Sequence, residues 1–180
     1  EGKIVIEVQY LLNTIKDLTF DNIYHEHTNY WSLLTLNNFL KTLDLIIFKV
    51  ERINTHGGSI RVYVSQDENI SIDKSVNELI AEEEAYGLKK LKTYINFGEK
   101  IQNLKKNVIN NLQKLKKKHK NIVGYGAPAK ATTSLNFFNI KDEIDFIIED
   151  NKLKHEKYMP GVNIPIISKD KLKLKNPVVL

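Results

Sequence analysis

The spacing of apolar positions changes along the chain, and each change marks a different kind of element. Ile4-Val5-Ile6-Glu7-Val8 opens as a strand, and an amphipathic stretch follows over Leu33–Leu43. Two strand-like runs come next: Asp44–Ile53, with the cluster Leu45-Ile46-Ile47-Phe48, and Ser59–Ser65, where Ile60, Val62 and Val64 alternate with Arg61 and Tyr63. The glycines of Thr55-His56-Gly57-Gly58 can adopt positive φ, so the two runs read as a hairpin.

From Lys74 to Lys118 the period becomes helical. Ile101, Leu104, Val108, Leu112 and Leu115 recur at steps of three and four and define one buried face, with Gly87 and Gly98 as candidate breaks. Lys114, Lys116, Lys117 and Lys118 oppose the negative end of the helix dipole and read as a solvated cap. Beyond residue 119 the pattern is βαβ: a strand over 121–125, a helix over Pro128–Phe138 with proline in its first turn, and a strand over Ile144–Ile148. Tyr158–Pro165 is a loop around a Pro-Gly turn, and another strand begins at Val178. The expected fold class is α/β, a Rossmann-like, doubly wound, mostly parallel sheet accompanied by a β-hairpin and a long helical segment. The expected divisions are residues 1–75, 76–118 and 119–180. Both ends read as cut, Glu1-Gly2-Lys3 leading at once into a strand and Val178-Val179-Leu180 only starting one, so the chain is expected to be an internal fragment of a longer protein.

Composition narrows the class without naming a function. With 42% hydrophobic and 27% charged residues the chain is an ordinary globular sequence. Its net charge of +5 lies mainly on lysines of a helical face and one short run. The aromatic interleaving and arginine clusters of a nucleic-acid groove are missing, so no nucleic-acid partner is expected. There are no cysteines, hence neither disulfides nor thiolate metal ligands, and no apolar run approaches the ~20 residues of a membrane span. No signal-peptide pattern opens the sequence, which makes the cytoplasm the expected location.

Candidate chemistry sits in two places. Asn121-Ile122-Val123 runs directly into Gly124-Tyr125-Gly126-Ala127-Pro128-Ala129-Lys130, a strand, glycine turn and helix start of the kind that exposes backbone N–H groups to phosphate. Gly124, Gly126 and Ala129 meet the Gly-x-Gly-x-x-Gly/Ala pattern, and Glu149-Asp150 follows at about the 20-residue spacing at which a dinucleotide fold places its ribose acid. Lys130 adds a cation suited to a diphosphate. The competing reading is a strand-to-helix turn that binds nothing.

The second place is Asp21-Asn22-Ile23-Tyr24-His25-Glu26-His27-Thr28-Asn29-Tyr30-Trp31. Imidazole ordinarily titrates near ~6.5 and a phenol can donate to a developing oxyanion, so this crowding offers proton transfer near neutral pH. If the segment were extended, Tyr24, Glu26 and Thr28 would share one face and His25 and His27 the other. A His-x-His metal site lacks a third ligand at matching spacing, and a purely structural set of turn caps is the remaining alternative.

Four motifs in order, Ile-Tyr-His-Glu-His over 23–27, His56-Gly57-Gly58-Ser59-Ile60-Arg61, the Gly124–Lys130 turn, and Pro160-Gly161 with Ile164-Pro165-Ile166, together resemble the sugar C-methyltransferases, S-adenosylmethionine-dependent enzymes acting on nucleotide-linked keto-deoxysugars. The resemblance covers nearly the whole chain. It implies the end of the donor-binding domain and most of a C-terminal Rossmann-like domain, with the donor-gripping motif and a cysteine-bearing zinc domain both upstream, and no metal held here. By motif position it makes His27 the base that removes the proton beside the 4-keto group, with Tyr24 and Glu26 orienting the sugar or stabilising the oxyanion. It places His25, Gly124, Tyr125, Gly126, Ala127, Lys130 and Arg61 at the substrate, although spacing alone does not separate ligand contact from hairpin support for His56, Ser59 and Arg61. The nucleotide is expected to be dTDP, and the fragment alone is expected to be inactive. Departures from the family pattern occur at Ala131-Thr132-Thr133, at Lys154–Tyr158 and at Glu149. A NAD(P)-dependent oxidoreductase and a non-catalytic nucleotide-sugar-binding module are the alternative functions.

Overall fold

Alternation along β3 (Ser59–Ser65) makes it the centre of an antiparallel sheet, because Ile60, Val62 and Val64 put one face into a core where all three are fully buried. β3 pairs on one side with β1 (Lys3–Gln9), from Lys3↔Ser65 to Gln9↔Ser59, and on the other with β2 (Ile46–Ile53). The expected hairpin is therefore present, with its first strand shortened. Asp44, expected inside that strand, has φ +54°, a left-handed conformation that a strand cannot use.

The computed structural model describes residues 2–55, 57–118, 121–171 and 177–180, and these fall into two units. The first comprises the chain to Phe20 and His27–Lys100; the second comprises Asp21–Glu26 and Ile101–Leu180. The dividing point at residues 100 and 101 lies inside a helix.

In the first unit, α1 (Leu11–Lys16) follows β1 and was not marked by any strong periodicity. α2 (Leu33–Lys41) matches the amphipathic stretch and buries Leu33, Leu36 and Leu40. α3 (Lys74–Tyr86) starts at Asp73, whose side chain accepts the Ser75 N–H, and stops at Gly87 in the left-handed region with φ +87°. α4 (Leu91–Lys118) then runs uninterrupted through Gly98. Of the two candidate breaks, only Gly87 ends a helix.

One buried carboxylate joins these helices. Glu83 of α3 is fully buried, and its two oxygens accept the N–H groups of Leu33 at 2.6 Å and Leu34 at 2.9 Å. Ser32 completes the cap, its hydroxyl accepting the Thr35 N–H at 3.1 Å and its carbonyl the Leu36 N–H at 3.0 Å. With the Ser32 N–H donating to Thr35 Oγ1 at 3.1 Å, the orphan donors of residues 32–35 at the α2 N-terminus all have acceptors, and the negative charge lies at the positive end of the helix dipole. Burial and the neighbouring Glu83 charge together push the Tyr10 phenol far above its ordinary range.

The second unit contains the parallel sheet: β4 (Ile122–Tyr125), β5 (Phe146–Ile148), β6 (Ile166–Ile167) and β7 (Val178–Val179), in spatial order β6-β5-β4-β7. α5 (Ala129–Phe138) links β4 to β5 and ends at Asn139, with φ +58°. This is the expected Rossmann-like α/β arrangement. The short β6 had no periodicity to betray it. Along α4, Ile101 and Leu112 are buried while Leu104, Val108 and Leu115 are half-buried, so the predicted apolar face holds. The lysine run at its end is more than a solvated cap: Lys116 pairs with Asp145 at 2.6 Å, and the other Asp145 oxygen accepts the Ile122 N–H at 2.9 Å. Among the described residues no helix is long and apolar enough to cross a membrane.

Replacing Glu83 by alanine would strand two donors beside a buried helix end. Glu83→Ala is expected to lower stability by about 2–4 kcal/mol, and Glu83→Gln, which keeps one acceptor, by roughly half as much. The shift in urea midpoint at constant m checks both values, and equal stability of all three proteins would contradict the assigned cap.

Candidate functional site

Strand β4 delivers three buried residues and then one exposed residue, Tyr125, at its carboxyl end. The order β6-β5-β4-β7 means that the chain builds outward from β4 on one side and returns to its other side with β7. The carboxyl end of β4 is therefore the topological switch point, where open parallel sheets bind ligands.

The glycines of the turn answer two different needs. A Cβ on Gly124 would lie 3.1 Å from Ile147 Cγ1, so a side chain there crowds the adjacent strand. Gly126 has φ +90°, which lets the chain leave the sheet and enter α5. Pro128 occupies the N-cap rather than the first helical turn.

The turn's N–H groups are largely committed within the protein. Tyr125 N–H donates to the Leu180 carbonyl at 2.9 Å, Gly126 N–H to the Ile148 carbonyl at 2.7 Å, and Ala127 N–H to Glu149 Oε2 at 2.8 Å. The expected cradle over Gly124–Ala127 is thus shifted: the backbone donors left at the α5 start are those of Ala129 and Lys130, since Ala131 and Thr132 donate to the Pro128 carbonyl. Lys130 is half-buried on this first turn, and its ammonium has no ion pair or hydrogen bond among the described residues. A half-buried cation beside two backbone donors at a positive helix end suits an anionic group.

Glu149, one of the two acids weighed for a ribose, is used differently. Oε1 accepts the Asn151 N–H at 2.9 Å while Oε2 holds Ala127, and only 13% of its side chain is exposed. Hydrogen bonds from the Asn151 and Ala127 backbones hold its carboxyl below the usual range. Lys154 completes a clamp, its Nζ donating to the Ala127 carbonyl at 2.8 Å and lying 3.6 Å from Glu149 Oε2. Asp150 accepts the Tyr125 hydroxyl at 2.7 Å. Glu149, with both oxygens engaged, is not placed as the open ribose acceptor that the oxidoreductase alternative requires, whereas Asp150 is exposed and held through one of its oxygens.

Sequence reasoning missed Lys154 and the bracing role of Glu149, for neither lies in a periodic or glycine-rich signal. It also missed Asn136, whose Nδ2 donates to the Pro160 carbonyl at 2.9 Å and whose side chain occupies the space a Cβ on Gly161 would need. The Pro160-Gly161 motif is thereby a packing contact with α5.

Around the His-rich run, Asn22 is buried, Tyr24 half-buried, His25 and Glu26 exposed in a turn, and His27 half-buried. Because residues 24–26 bend, the two-faced alternation of an extended segment does not apply. Tyr24 and His25 rings meet edge to face, 6.2 Å between centroids, and His25 lies 4.0 Å from Glu26. Tyr24, His25 and Glu26 belong to the unit that contains the Gly124–Lys130 turn, whereas His27 is grouped with the first unit. No cluster of three or more potential ligands for a metal ion occurs among the described residues.

Arg61, considered for substrate contact, lies on β3 in a cross-strand pair. Its Nε and Nη2 both reach Glu7 Oε2, at 3.1 and 2.8 Å, and Thr55 donates to the other Glu7 oxygen at 3.1 Å. Ser59 Oγ donates to the Thr55 carbonyl, and a Cβ on Gly58 would fall 2.6 Å from the Asn13 side chain. These contacts give the motif a hairpin-bracing role; His56 lies outside the described residues.

The parallel sheet and its glycine turn define a Rossmann-type α/β unit with its switch point at the end of β4. The chain belongs to the family of C-methyltransferase C-terminal domains, whose model matches residues 54–180. It is 31% identical over 170 residues to the C-methyltransferase NovU of Streptomyces niveus, a match covering 93% of this chain and 40% of that protein. The chain thus spans about two fifths of the length of the curated relative it matches.

Since the folded pKa of Glu149 lies below its ordinary value of 4.5, the tie is complete above that pH and is lost as pH falls through the lowered value. The Ala127 amide resonance should therefore titrate with a midpoint below 4.5 in the parent protein and show no such step in Glu149→Gln. The same variant is expected to lose about 1–2 kcal/mol of stability and to exchange the Ala127 amide faster.

Proposed function

We propose that this chain is the C-terminal part of a methyltransferase that moves a methyl group from S-adenosylmethionine to the carbon next to the keto group of a nucleotide-linked 4-keto-deoxysugar, with dTDP as the nucleotide. The observation that carries the reading is the uncommitted Lys130 ammonium beside the Ala129 and Lys130 N–H groups at the switch point, within a chain of the C-methyltransferase family. A diphosphate is the part of such a substrate that those groups can hold. Tyr24 and Glu26 share that unit, and His27 follows Glu26 in the chain.

A proton on a carbon beside a ketone is acidic because the electrons left behind move onto the carbonyl oxygen. In this reading His27 takes that proton, the Tyr24 hydroxyl donates to the resulting enolate oxygen, and Glu26 and His25 orient the sugar. The protein lowers the barrier by placing a base at the carbon and a donor where negative charge develops. Bound S-adenosylmethionine supplies an electrophilic methyl. The Gly124–Ala127 turn does not fit that donor, because its N–H groups and the acid that follows β5 are engaged within the chain, so no donor contact is assigned to these residues. Zinc is assigned to a cysteine-bearing domain and not to this cysteine-free chain. In this reading the protein acts in the cytoplasm.

In the full-length protein, His27→Asn should lower turnover by about two to four orders of magnitude while leaving sugar-nucleotide affinity nearly unchanged. Lys130→Ala should instead weaken that affinity. Calorimetric titration with the dTDP-linked keto-sugar, together with single-turnover methyl transfer, separates the two effects. Normal turnover by His27→Asn would remove the base assignment, and sugar binding without methyl transfer by the parent would favour a non-catalytic binding module.

A further inference from the structure

Tyr125 is the one residue of β4 that does not enter the core, with 54% of its surface exposed at the carboxyl end of the strand. An isolated exposed aromatic residue is unremarkable in itself. This one is fixed at both ends. Its backbone N–H is bonded to the Leu180 carbonyl, just beyond β7, and its hydroxyl donates to Asp150 Oδ2 at 2.7 Å, just beyond β5. The residue thus bridges the carboxyl ends of the strands on either side of β4, through its backbone towards β7 and through its side chain towards β5, at the switch point of the sheet.

That fixation decides what the ring can recognise. The hydroxyl proton is already committed to Asp150, so the side chain has no donor to spare for a ligand and presents mainly the flat π-face of its ring. Its rotational freedom is lost before any ligand arrives, which removes part of the ordering cost of binding. A planar heteroaromatic base is the chemistry that a pre-oriented ring face accepts. The distance is also suitable: Tyr125 and Ala129 are four residues apart, at most about 14 Å along an extended chain, within the reach of a nucleoside diphosphate whose phosphates lie on the α5 start.

We infer that the Tyr125 ring, held by Asp150, is the stacking platform for the nucleobase of the substrate. The inference rests on the nucleotide-sugar reading given above and adds which end of the nucleotide the ring contacts.

Calorimetric titration of the full chain with thymidine diphosphate, inorganic pyrophosphate and a hexose 1-phosphate tests it. Tyr125→Leu should weaken thymidine diphosphate roughly 10- to 100-fold and leave pyrophosphate unchanged. Tyr125→Phe keeps the ring without its latch and should bind thymidine diphosphate within about fivefold of the parent. In the parent, and not in Tyr125→Leu, the base H6 proton should move upfield through the ring current. Equal weakening of thymidine diphosphate and pyrophosphate in Tyr125→Leu, or no weakening of either, would overturn the platform. So would a loss confined to the hexose 1-phosphate, which would place the sugar on the ring. Failure of the parent to bind any of the three probes would remove the nucleotide-sugar reading itself, and the platform with it.

Discussion

A single carboxylate sets the shape of the carboxyl edge of the parallel sheet. Glu149 leaves β5 and accepts one backbone N–H from the turn after β4 and another from the turn after β5, so two loops that could move independently are tied through one side chain. Lys154 takes the carbonyl of the same Ala127 whose N–H Glu149 holds, which constrains that peptide from both sides. The direction of the chain into α5, the position of Lys130 on its first turn and the exposure of Tyr125 all follow from where this turn is pinned. An acid that would ordinarily be read as a ribose ligand here serves as part of the scaffold.

The first unit solves a similar problem with the same chemistry. Glu83 is a buried carboxylate whose partners are backbone N–H groups, at the start of α2. In both cases the cost of removing a charge from water is offset by two charge-assisted hydrogen bonds to donors that would otherwise lack acceptors. The Arg61–Glu7 contact is different: it is partly exposed, and its value lies in registering β1 against β3 more than in net stability.

Much of the fold was legible because its signals are local. The alternation over Ile60–Val64, the helical period from Ile101 to Leu115 and the glycine turn after Val123 each report how one element meets a core. Asp44 and β6 were missed for the opposite reason. A positive φ at a non-glycine residue and a two-residue strand are imposed by neighbours in space and leave no periodic mark. The site divides in the same way: Gly124, Gly126 and Lys130 were visible as a motif, whereas Lys154 and Asn136 act through backbone groups 24 or more residues away.

The sequence by itself determined the α/β class, the strand, turn and helix around Gly124–Lys130, and the concentration of titratable groups over 24–27, because residue type and spacing fix local conformation and chemical capacity. Only the tertiary structure decided which of those groups are already occupied. Glu149, Asp150, Arg61 and the N–H groups of residues 125–127 all have the chemistry to bind a ligand, and each has found a partner within the chain. A backbone N–H satisfied internally must break that bond before it can serve a ligand, while a carboxylate or guanidinium is held in place by its partner, and which bonds form depends on what folding brings within about 3 Å.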